Sequence, residues 1–107
     1  MMLRVGHAKD VRANEMRVFD VGGTKVNVAR ALGQLRAFDD TCPHMGCSLA
    51  KGRLEGTTVT CPCHGSQFDV VSGAVLHGPA QRPVQSRRVQ VEGEDLLVEQ
   101  TLTAVGR

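Results

Sequence analysis

Apolar and polar positions alternate with period two over most of this 107-residue chain, and no stretch sustains a helical period for three turns. The segment EMRVFDV (15–21) sets Met16 and Val18 on one side and Arg17, Phe19 and Val21 on the other. It runs through Gly22-Gly23 into TKVNVARAL (24–32), a hairpin signature. Gly33-Gln34 predicts a second tight turn into LRAFDD (35–40), which completes a three-stranded meander. Further on, TTVTC (57–61), SQFDVV (66–71) and AVLH (74–77) predict a small second sheet. VQSRRVQVEG (84–93) and DLLVEQTL (95–102) predict a closing hairpin across Gly93-Glu94. Short helical turns are expected only around Lys9 to Ala13 and Ser48 to Lys51. The expectation is a single all-β domain over residues 1–107, with antiparallel strands and a compact insert at about 41–80 that carries every cysteine.

Composition sharpens this picture. The chain has no Trp or Tyr and only three Phe, so Val and Leu must fill the core, which suits strands. A net charge of +2 without any Lys/Arg run excludes nucleic acid as the expected partner. Lys51, Arg53, Arg82, Arg87 and Arg88 are candidates for a patch that docks an acidic partner, against the alternative of an ordinary solvated face. His7 reads as an exposed strand residue, and His77 as a solvated one. No apolar run approaches the roughly 20 residues of a membrane span. MMLRVGHAKD lacks the apolar stretch of a secretory signal, so the chain reads as soluble and cytoplasmic.

The chemistry-bearing residues lie in two short segments, CPHMGC (42–47) and CPCHGS (61–66). In a cytosolic chain such cysteine clusters point to metal or redox chemistry rather than to a disulfide framework. The donors fall as Cys42-x-His44 and Cys61-x-x-His64, with sixteen residues between the pairs. Neighbouring Pro and Gly let each loop turn tightly and approach a metal closely. Two Cys and two His would also satisfy a structural zinc site, giving a zinc-stabilised binding module. Zinc spacings favour Cys-x-x-Cys knuckles, however, and zinc leaves Cys47 and Cys63 without a role.

CPHMGCSL followed by CPCHGSQFD, with GPA at 78–80, resembles the Rieske iron–sulfur family, and the resemblance covers most of the chain. It implies a Rieske-like fold: a basal sandwich or barrel of antiparallel strands carrying a small inserted cluster-binding subdomain. It implies one [2Fe-2S] cluster, with Cys42 and Cys61 on one iron and His44 and His64 on the other. Two ferric ions, two sulfides and two thiolates sum to zero charge, so such a cluster accepts an electron more readily than one with four thiolates. The resemblance further implies a disulfide between Cys47 and Cys63, with two free buried thiols as the alternative. Ser66 matches a position whose hydroxyl donates to a cluster sulfide, and Pro79 matches the loop that covers the cluster. Phe68 stands where high-potential members carry a Tyr, so one hydrogen-bond donor is kept and one is lost.

The function implied is that of a soluble ferredoxin, passing one electron at a time from a flavin-containing reductase to a terminal oxygenase of the ring-hydroxylating type. No catalytic residue is expected, because the irons would be fully coordinated and an oxygenase needs a further iron site that His7 and His77 cannot build. The alternative within the family is a small Rieske subunit of a larger redox enzyme, of nitrite-reductase or arsenite-oxidase type.

Overall fold

The computed structural model describes residues 2–43 and 46–100, which form eleven strands in three antiparallel sheets. The first sheet has the order β1 (Met2–His7), β11 (Asp95–Glu99), β10 (Val89–Glu92). The second is the meander β2 (Met16–Val21), β3 (Thr24–Ala31), β4 (Gln34–Asp39), extended by the two-residue strand β9 (Ser86–Arg87). The third runs β5 (Arg53–Glu55), β6 (Thr58–Thr60), β7 (Gln67–Asp69), β8 (Val75–His77). Single 3-10 turns occupy Ala8–Asp10 and Leu49–Lys51. Among the described residues no helix is long and apolar enough to cross a membrane.

The all-β expectation holds, and the alternation explains the layers. β3 is buried on both faces: Val26 and Val28 join Val11, Val21, Ala37, Leu96 and Val98 in one core, between the first two sheets. Ala29 and Ala31 face the other way, into a second core with Phe38, Leu49, Val59, Phe68, Val70 and the two free cysteines. The meander therefore separates a basal core from the core beneath the cysteine loops. Small residues on the second face let the third sheet pack closely.

Three expectations need correction. Apart from His7, β1 was not anticipated, and neither was β5, because MLRVGH and RLE carry too little alternation to stand out. The segment 84–93 is two strands, interrupted at Arg88: the Arg87 side chain turns inward, with its Nε 2.6 Å from Asp39 Oδ1 and its Nη1 donating to the Glu99 carbonyl at 2.9 Å. The expected strand 95–102 ends at Glu99, and its last two residues lie outside the described residues.

The β3–β4 turn also sits one residue earlier than expected. Ala31 pairs with Gln34, so Leu32 and Gly33 form the turn, with φ of 51° and 81°. Two positive φ values make a hairpin connection that suits Asn-Gly, whereas a leucine there is strained and 72% exposed. Leu32→Asn should raise the unfolding free energy by about 1 kcal/mol, read as a higher denaturation midpoint with unchanged slope.

Candidate metal centre

Both cysteine loops emerge from strand ends and are closed by the same bond. In the first, the Cys42 N–H donates to the Cys47 carbonyl at 2.9 Å, and Thr41 bridges Ser48 just outside it. In the second, the Cys61 N–H donates to the Ser66 carbonyl at 2.8 Å, directly after β6. Each loop thus begins on a backbone-anchored cysteine whose side chain points into the second core. Near its end, His64 holds a φ of 99°, a conformation non-glycine residues rarely adopt, and its side chain is exposed. Strain of this kind is found where the surrounding structure over-determines a functional residue.

The two loops are stapled together. Cys47 and Cys63 form a disulfide with Cα atoms 6.4 Å apart, and the Cys61 sulfur lies within 4.8 Å of both bridge sulfurs. Two of those three sulfurs are spent in the bridge, so the available donors are Cys61 and Cys42, both free and buried. Burial pushes the Cys61 thiol above its ordinary range, the backbone of Cys63 opposes this, and the neighbouring Cys42 sulfur adds to the rise. Two free thiols from separate loops thus share one buried core. That donor set fits a thiophilic metal, which would take up both sulfurs as thiolates.

The remaining residues surround this pair. Ser66 is buried, and its Oγ accepts the Ala80 N–H at 2.9 Å, tying the 78–80 segment to the second loop. The Gly78–Pro79 peptide is cis, and Pro79 lines a surface groove with Pro43, Gln81 and Arg82. Phe68 is fully buried in the core that holds both free cysteines. His44, with Met45, lies outside the described residues. His77 is exposed at the end of β8.

Sequence reasoning misplaced two residues and overlooked others. Arg87 belongs to no docking patch, since its side chain is only 4% exposed and is held by Asp39 and two carbonyls. His7 is half-buried, with a buried Nδ1 that lacks a hydrogen-bond partner. Asp40, Asn27 and Ser48 were overlooked; together they anchor the first loop. A signal was present in Asp39-Asp40: at a strand end the two carboxylates face opposite sides, so one of them had to face inward.

Comparison with known proteins gives a consistent result. The model of the Rieske [2Fe-2S] domain matches residues 1–100. The ferredoxin component of biphenyl 2,3-dioxygenase from Rhodococcus jostii is 32% identical over 98 residues, covering 92% of each chain. Human apoptosis-inducing factor 3 is 33% identical over 94 residues, and the chain spans only 16% of that protein's length. Among solved structures, a chain from the complex of reduced oxygenase and oxidized ferredoxin in carbazole 1,9a-dioxygenase matches with a TM-score of 0.85 and 33% identity, covering 94% of this chain and 96% of that one.

The bridge closes a loop of sequence separation 16, a length for which loss of a disulfide costs about 3 kcal/mol. The double variant Cys47→Ser, Cys63→Ser should lose about that much stability in chemical denaturation, whereas exchange of the exposed Ser72 for Ala should change little.

Proposed function

The chain belongs to the Rieske [2Fe-2S] domain family, and on that premise we propose that it is a one-electron carrier, a ferredoxin that takes electrons from a flavin-containing reductase and delivers them to a terminal oxygenase. The observation that carries this reading is the burial of two free thiols in one core, on loops locked together by a disulfide. The similarity to an oxygenase-system ferredoxin along nearly its whole length supports the choice of partners.

The proposed centre is one [2Fe-2S] cluster, with Cys42 and Cys61 on one iron and His44 and His64 on the other. When bound, such a group accepts and returns a single electron, within the range of roughly −150 to +300 mV for histidine-ligated clusters. The chain's own residues do the rest. The Cys47–Cys63 bridge keeps the loops closed around the site. The Ser66 oxygen is already engaged as an acceptor, which leaves its proton free to be donated toward a cluster sulfide. Phe68 excludes water but offers no donor. The exposed His64 edge, in the same loop as the exposed Pro62, provides a surface through which an electron leaves. Residues 1–107 then act as one cytoplasmic domain whose 41–80 portion holds the cluster, with no catalytic residue of its own.

Anaerobic reductive titration should consume one electron per chain, and the reduced protein should be reoxidised by an oxygenase component within a catalytic turnover. Uptake of no electrons by an iron-loaded sample would overturn the carrier reading. Ser66→Ala should lower the midpoint potential by about 60 mV, the equivalent of a tenfold loss in the one-electron reduction constant. The same variant should lower stability by about 1–3 kcal/mol, because the buried Ala80 N–H loses its acceptor.

A further inference from the structure

Asp40 is a charged side chain that the electron-carrier reading does not use. It is 4% exposed, yet among the described residues it forms no ion pair. Its neighbour Asp39 faces the other side of β4 and is neutralised by Arg87. The Asp40 carboxylate is held only by neutral dipoles: Oδ1 accepts from Asn27 Nδ2 at 3.0 Å and from the Ala50 N–H at 2.9 Å, and Oδ2 accepts from the Ser48 hydroxyl. Its main chain adds two bonds, to the Lys25 carbonyl at 3.0 Å and from the Leu49 N–H at 2.9 Å.

These contacts join β3 to both ends of the first cysteine loop. The Asn27 side chain is fully buried, and its Oδ1 has no donor. Turning the amide over would set that oxygen against Asp40 Oδ1, so the carboxylate dictates the amide's orientation. A buried carboxylate without a counter-ion is costly even when hydrogen-bonded. Two residues of extended chain span at most about 7 Å, so the backbone that carries this charge lies within that reach of the Cys42 backbone.

Resting on the reading of Cys42 as a cluster ligand, we propose that Asp40 is a positioning and potential-setting residue: its hydrogen bonds fix the 42–47 loop on β3, and its charge, unmatched by any cation among the described residues, makes addition of an electron to the cluster harder. The pairing of Asp39 with Arg87 leaves no comparable net charge on the opposite face. The ferredoxin's working potential is accordingly set against the pull of the Ser66 donor.

The test is an EPR-monitored redox titration of cluster-loaded protein. Asp40→Asn keeps the contacts, since Oδ1 still accepts from Asn27 and Ala50 while the new Nδ2 donates to the Ser48 oxygen; only the charge is lost. The reduction constant should rise at least about threefold, or about 28 mV at 59 mV per tenfold. Ser48→Ala keeps the charge and strips a dipole that faces it, so the constant should fall. Loosening of the loop would move both variants in the same direction, which would overturn the proposal, as would an unchanged potential in Asp40→Asn. Asp20→Asn, which removes the same formal charge from an exposed position in β2, should leave the potential unchanged, and an equal shift there would assign the effect to net charge and overturn the role of Asp40. If Asp40→Asn fails to hold a cluster, Ser48→Ala decides alone: a fall supports the proposal and no change overturns it. A wild-type protein that binds no cluster would overturn the underlying reading and this inference with it, whereas normal wild-type behaviour with an unmoved Asp40→Asn overturns this inference only.

Discussion

The contact between the 42–47 and 61–66 loops governs what every other part of the molecule must supply. Two free thiols are buried in one core there, beside a disulfide. Neither loop could hold its cysteine inward alone. Each is closed by one backbone bond from its first residue, and each needs a sheet at its base to set the direction of that bond. The meander supplies the base for the first loop and β6–β7 for the second, so the two sheets must be fixed relative to each other before the thiols can meet. Gly52 shows how closely this is done: a Cβ there would lie 1.8 Å from the Thr60 carbonyl oxygen, immediately before Cys61.

The core beneath the loops matches this requirement with few aromatic rings. Two of the chain's three Phe residues, Phe38 and Phe68, are fully buried there with Leu49, while the basal core is built mainly from Val. Bulk is concentrated where a dry, rigid wall is needed. Low polarity around the thiols raises the cost of charge, which explains both the upward push on Cys61 and the sensitivity expected of a redox centre to nearby donors and charges. On the proposed reading Ser66 and Asp40 pull the potential of that site in opposite senses, one through a hydroxyl and one through a buried carboxylate.

Much of this was legible in the sequence. Alternation exposed the meander and the closing hairpin, and the two cysteine segments carried the family resemblance. What escaped was the direction in which charged residues face. Period two says that neighbours lie on opposite sides, but Arg87 and Asp40 look like surface residues until the strands that cover them are known. Arg87 turned inward to bind Asp39 and the end of β11, and it broke the expected strand as it did so. β1 is held by pairing with the distant β11, and the three-residue β5 by its hairpin with β6, rather than by their own pattern. Leu32 shows a local rule broken: an exposed apolar residue in a positive-φ turn gives no sequence signal of the turn it makes.

The central claim is that Cys42 and Cys61, with two histidines, hold a redox-active iron–sulfur cluster. Its most direct test is low-temperature EPR and visible absorption of anaerobically purified protein, before and after dithionite, with metal analysis of the same sample. The account predicts a red-brown, EPR-silent oxidised state that on reduction gives the anisotropic, low-average-g signal of a histidine-ligated cluster. A colourless protein with stoichiometric zinc, which stays EPR-silent after iron–sulfur reconstitution and reduction, would contradict it.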